Sequence, residues 1–109
     1  MTNIVFVHGA WHGGWCWQKV TALMNPMEFH IYTPSLTGSG DRGRLRKYLD
    51  PLSIDLDRHI QDIVQLMTYE NLWDVVLVGH AYAGMVITGV ADICPERLSN
   101  LVYINGVVP

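Results

Sequence analysis

Residues 74–84, Asp-Val-Val-Leu-Val-Gly-His-Ala-Tyr-Ala-Gly, constrain the fold of this 109-residue chain more than any other stretch. Val75 to Val78 is a short, largely β-branched apolar run, the pattern of a strand buried on both faces of a parallel sheet. It breaks directly into Gly79-His80-Ala81-Tyr82-Ala83-Gly84, and the helical-looking residues Met85 to Asp92 follow. That is a strand, a tight turn and a helix. So abrupt a turn brings two backbones together on either side of its tip, and only small side chains leave room there. Gly79 and Ala83 supply the room, which puts Ala81 at the tip in a strained conformation. A tip that served the fold alone would favour Gly over Ala.

Half of the chain is apolar, enough for one small core. A net charge of −3 with scattered Arg and Lys gives no basic stripe, so neither nucleic acid nor an anionic membrane is an expected partner. The apolar runs are too short to span a bilayer. The N-terminus, Met-Thr-Asn-Ile-Val-Phe-Val-His, lacks the basic region and cleavable apolar segment of a signal peptide. Cys16 and Cys94 fall in separate expected helices and form no C-x-x-C pair, so they read as reduced core thiols of a cytoplasmic protein. No metal site is expected: His8 and His12 are four apart, but Gly9, Gly13 and Gly14 make that stretch a loop rather than a helix face.

In chain order, a first strand is expected at Ile4 to Val7, followed by a glycine-rich loop running into a helix. Cys16, Val20, Leu23 and Met24 make a single apolar stripe on that helix, which Asn25-Pro26 ends. A second strand at Phe29 to Thr33 leads into a loop at 34–43. Gly38 to Gly43 spells G-x-G-x-x-G, but it follows the second strand and precedes the basic, Pro-terminated Arg44 to Pro51. That is the wrong context for a dinucleotide site, and a flexible loop is the expected reading. Ser53 reads as an N-cap with Asp55 and Asp57 in the first turn. Leu56, Ile60, Ile63, Val64 and Met67 then mark the buried face of a helix to Tyr69, with Arg58, Gln61, Asp62 and Gln65 solvated. After the 74–84 unit come a stop at Pro95, a last strand at Leu101 to Ile104 and a turn at Asn105-Gly106. Strands and helices alternating in this way build a parallel α/β sheet with helices on both faces and its ligand at the strands' carboxyl ends. The loops at 8–14, 34–43, 79–84 and 105–109 all emerge at that edge.

Gly79 to Ala83 fits the G-x-S-x-G nucleophile elbow with Ala accepted at the last position. From Gly79 to Gly84 the run resembles the elbow of the α/β-hydrolases, except that Ala81 stands where that family places its nucleophilic serine. Val7 to Trp17, Val-His-Gly-Ala-Trp-His-Gly-Gly-Trp-Cys-Trp, resembles the opening of one branch of the same family, which includes plant methylesterases, hydroxynitrile lyases and small bacterial esterases. The likeness implies an α/β-hydrolase sheet of which the first four strands are present, ordered second, first, elbow, last. It implies that the amides of Ala10 and Tyr82 form the oxyanion hole and that Gly9 and Trp11 line the substrate pocket. His8 holds the loop by hydrogen bonds, and His80 points away from the tip. His12, His30 and His59 read as surface or loop residues, and Trp15 and Trp17 as core packing.

Ala81 reads as a serine that lost its hydroxyl, whether by design or in a natural pseudoenzyme. The family's triad runs Ser, then Asp or Glu, then His. By that layout the acid and the histidine lie on strands and loops later than these, and Asn105, after the last strand, is not an ionised acid. Residues 1–109 are therefore expected to be the N-terminal part of one α/β-hydrolase domain, with the remaining strands, lid, acid and histidine elsewhere in the same protein. The expected parent is a serine hydrolase of a small or medium hydrophobic carboxylic ester, working without a cofactor and inactive with Ala81. A silent small-molecule receptor and a hydroxynitrile lyase are the alternatives on the same scaffold.

Overall fold

The computed structural model describes residues 1–106, so the 107–109 part of the last expected loop lies outside the described residues. Four strands, β1 (Thr2–Val7), β2 (Phe29–Tyr32), β3 (Val75–His80) and β4 (Leu98–Ile104), form one sheet in the order β2-β1-β3-β4. Every pairing is parallel, as the α/β reading requires. Three helices connect them: α1 (Gln18–Thr21), α2 (Leu56–Tyr69) and α3 (Ala83–Ile93).

Both central strands are buried on two faces, and alternate residues serve different cores. Val5, Val7, Val75 and Leu77 pack with Ile60, Ile63 and Met67 of α2 and with Val86, Ile87 and Val90 of α3. Ile4, Phe6 and Val78 face the other way, onto Trp17, with Cys16, Met24 and Phe29 around them. Phe6 and Trp17 stack with ring centroids 4.8 Å apart. Side chains alternate along each strand, so the apolar run of β3 feeds two layers at once.

Four expectations need correction. Val20 and Leu23 are exposed, whereas Cys16 and Met24 pack on the second core. Residues 14–17 form a 3₁₀ turn, and Leu23 and Met24 donate to Val20 and Thr21, three residues back. Tighter winding breaks the 3.6-residue register on which the stripe depended. Trp15 is likewise exposed, so only Trp17 of that pair is core.

Asp55, not Ser53, caps α2: its backbone is extended and its carboxylate accepts from Arg58 N at 3.0 Å. Ser53 instead closes a 3₁₀ turn two residues before the cap position, its hydroxyl donating to Asp50 O at 2.7 Å. Asp62 is not on a solvated face, because it grips the loop after β2, as described below. Residues 40–47 form 3₁₀ turns in place of the α-helix that a dinucleotide site needs after its glycines.

β3 meets α3 at Gly79. A Cβ there would stand 2.9 Å from Ala83 O, 3.0 Å from Ala83 C and 3.0 Å from Ile87 Cδ1. Two of those atoms are backbone and cannot rotate aside. Gly79→Ala should therefore destabilise the protein by about 1–3 kcal/mol, read as a lower urea midpoint at unchanged m-value. Gly14→Ala should cost more, since its Cβ would meet Thr33 O at 1.9 Å.

Candidate active site

Ala81 forms the tip of the strand–turn–helix, with φ at +53°. Its amide donates to Ile104 O at 3.3 Å, and its carbonyl accepts from Gly84 N at 2.9 Å as α3 begins. The bend is thus tied to β4 on one side and to the elbow helix on the other. Among the described residues five non-glycines have positive φ: Trp11, Asn71, Asp74, Ala81 and Asn105. Asn and Asp tolerate that region, whereas Trp and Ala pay roughly 1–3 kcal/mol for it. Trp11 is two residues from Gly9, whose backbone packs against Ala81.

The loop after β1 lies directly against the tip. A Cβ on Gly9 would come within 3.1 Å of His80 O and 3.3 Å of Ala81 Cβ. Beside this contact is a cavity of about 190 Å³ walled by Ala10, Trp11, Ser39, Arg46, His59 and Tyr82. Ala10 and Tyr82, expected as oxyanion donors, and Trp11, expected in the substrate pocket, thus all line one hollow. Gly9 is buried behind the wall, where its bareness allows the loop to touch the elbow. A larger hollow of about 450 Å³ runs along α2 past Asp55, Asp57, Gln61 and Gln65, with no part of the elbow in its lining.

Polar side chains fasten the loops around the cavity. His8 is buried, and its Nε2 accepts from Leu36 N at 2.9 Å. The ring proton is therefore on Nδ1, which donates to Gly9 O at 2.7 Å. One neutral imidazole joins the loop after β1 to the loop after β2, the holding role expected of it. Burial lowers its pKa from the ordinary 6.5, outweighing the Gly9 carbonyl that favours the charged form. Ser35 Oγ accepts from Gly14 N at 2.9 Å and donates to Asp41, and that donation lowers the Asp41 pKa.

His59 corrects its expected place as a surface or loop residue. Its Nε2 lies 3.0 Å from Thr37 O, an obligate acceptor, so Nε2 carries the proton and Nδ1 accepts from Tyr82 OH at 2.9 Å. Burial raises the Tyr82 pKa, with Asp55 adding to the effect, so the phenol stays the donor. Asp62 accepts from Thr37 N at 2.7 Å and Thr37 Oγ1 at 2.8 Å, and lies 3.6 Å from Arg42 Nη1. None of this is spelled in the sequence: the loop and helix residues are twenty or more positions apart. The one hint is that His59 immediately precedes Ile60 at the margin of the buried stripe of α2.

His80 turns to the opposite side of the elbow, edge-on to Trp17 at 6.4 Å and to His12 at 6.3 Å. It is away from the cavity, as expected. Among the described residues no three His, Cys, Asp or Glu side chains converge as metal ligands would.

A parallel sheet carries a strained strand-to-helix turn with the first loop packed against it, and residues 4–109 match the alpha/beta hydrolase family. The chain belongs to that family. It is 44% identical, over its full length, to a carbendazim hydrolyzing esterase of Nocardioides sp. (strain SG-4G), and covers 43% of that protein. The structure of a methylesterase from Arabidopsis superposes with a TM-score of 0.84 at 29% identity, over 100% of this chain and 45% of that one. A variant of tomato methylketone synthase I, complexed with beta-ketoheptanoate, superposes with a TM-score of 0.83 at 28% identity, over 99% of this chain and 41% of that one. The chain thus spans about four tenths of the length of the relatives it matches.

Two outcomes follow from these hydrogen bonds. His8 binds its proton more weakly folded than unfolded, so its stabilising effect is full above pH 6.5 and is lost as pH falls toward the lowered folded value. His8→Gln should lower stability at pH 7 and flatten its pH dependence just below 6.5, measured by urea unfolding across that range. A double-mutant cycle of His59→Leu and Tyr82→Phe should give a coupling of about 1 kcal/mol.

Proposed function

We propose that the protein carrying this chain has the scaffold of a serine carboxylic-ester hydrolase for small or medium hydrophobic esters, with acylation blocked at Ala81. The observation that carries this reading is Ala81 itself, held at positive φ on a strand-to-helix bend with the first loop packed against it. A serine there would put its oxygen clear of the sheet, beside the amides of Ala10 and Tyr82. Those two amides would hold the oxyanion of the tetrahedral intermediate, and losing one such donor costs about 3 kcal/mol in the transition state. The base and its orienting acid would come from the rest of the protein, beyond these 109 residues. The esterase activity named for the Nocardioides relative and for the Arabidopsis neighbour supports the reaction class. The free thiols Cys16 and Cys94 support a cytoplasmic location.

Ala81→Ser in the whole protein should raise hydrolysis of p-nitrophenyl esters, on the order of 10³-fold or more above the Ala81 protein. Carbendazim belongs in the same panel. No turnover with any acyl length would overturn the esterase reading. Persistent tight binding of an ester in that case would favour a receptor. A hydroxynitrile lyase needs the same serine hydroxyl and is silenced equally by alanine.

Ala81 also favours a second reading, a reaction on an acyl compound that needs no nucleophile. A β-keto acid can lose CO₂ by breaking its Cα–carboxylate bond, leaving an enolate that takes up a proton to become a ketone. Backbone amides placed for an oxyanion would hold the enolate oxygen equally well. The tomato neighbour complexed with beta-ketoheptanoate supports this reading. CO₂ release from acetoacetate or a longer β-keto acid by the Ala81 protein, undiminished by a serine-directed inhibitor, separates it from ester hydrolysis.

A further inference from the structure

The cavity beside the elbow has one permanent charge in its wall, and that charge is positive. Arg46 lines it together with Ala10, Trp11, Ser39, His59 and Tyr82. The same arginine lines an adjoining hollow of about 320 Å³ with Trp11, His12, Gly38, Ser39 and Gly40. Neither wall contains Asp or Glu, in a chain with ten acids against seven Lys and Arg.

Arg46 is exposed, tethered at its Nε and without an acidic partner among the described residues. Its Nε donates to Gly38 O at 2.8 Å, which anchors the guanidinium plane against the loop after β2. Among the described residues no carboxylate lies within ion-pairing distance of its Nη atoms, whereas Arg42 on the same turn is paired with Asp62. The acids nearest in sequence are engaged elsewhere: Asp41 accepts from Ser35, and Asp50 accepts from Leu52 N. A guanidinium held by its Nε keeps both Nη groups for a planar, two-pronged contact with a carboxylate.

We propose that this cavity selects ligands bearing a free carboxylate, taken by the Nη groups of Arg46, while their second carbonyl lies toward the amides of Ala10 and Tyr82. The ligand class is a small monoester of a dicarboxylic acid or an oxo acid. The direction of the carbonyl rests on the site reading above; the carboxylate contact does not.

The test is calorimetric binding to the whole Ala81 protein, which leaves an ester uncleaved. Monomethyl succinate and dimethyl succinate differ only in the free carboxylate. The monoester should bind about tenfold more tightly, the value of a charge-assisted hydrogen-bond pair partly offset by desolvation. Arg46→Gln should bring the ratio to about one, and Arg46→Lys, which keeps the charge but loses the fork, should leave a smaller preference. Arg44→Gln, on the same turn but outside the cavity, should leave the ratio as it was. Equal binding of the two esters by the unaltered protein, no binding of the monoester at 10 mM, or a preference that survives Arg46→Gln would overturn the proposal. An Ala81→Ser protein that hydrolyses nothing yet prefers the monoester would overturn the esterase reading and leave this one standing.

Discussion

The close approach of β3 and α3 governs the architecture of the site. With no side chain at Gly79 and only a methyl at Ala83, the helix axis turns back over the strand it has just left. The chain can make that reversal in one residue only by entering the left-handed region, and Ala81 is the residue that does so. Burial of α3 on the sheet through Val86, Ile87 and Val90 holds the bend in place, and each such side chain contributes about 1.5–3 kcal/mol when fully buried. Core packing thus offsets strain at the tip. The left-handed bend at Ala81 follows from a steric contact between residues four apart.

Much of this is readable without coordinates, for physical reasons. The β-branched runs at Val5–Val7 and Val75–Val78 admit little besides central strands, and the small residues around Ala81 admit little besides a sharp reversal. The four-strand order followed from the resemblance and is the order observed. Periodicity failed where the chain left α-helical geometry. Between Gly14 and Met24 only the short α1 is α-helical and 3₁₀ turns flank it, so Val20 and Leu23 face outward although an ideal helix would bury them. Ser53 failed as a cap because α2 begins only at Leu56, which leaves Asp55 as the residue in front of it.

The cavity walls were only half legible. Ala10, Trp11 and Tyr82 lie in the motifs that carry the family resemblance, and the resemblance singles them out. Arg46, Ser39 and His59 reach the cavity from a loop and a helix with no motif, and only folding brings them to the elbow. Asp62 looked like a solvated carboxylate because three helical neighbours are polar, yet it faces Thr37 across the sheet edge. Pairings of this kind depend on tertiary approach, for which local sequence carries no signal.

Thr37 is clasped at its amide, its hydroxyl and its carbonyl, in each case by a side chain of α2. The second loop therefore moves as one body with a helix that is itself wedged into the larger core. Trp11, which lines the cavity from the first loop, is 95% exposed. One flank of the cavity is thus cross-tied to the core, while the indole on the first loop stands almost wholly in solvent.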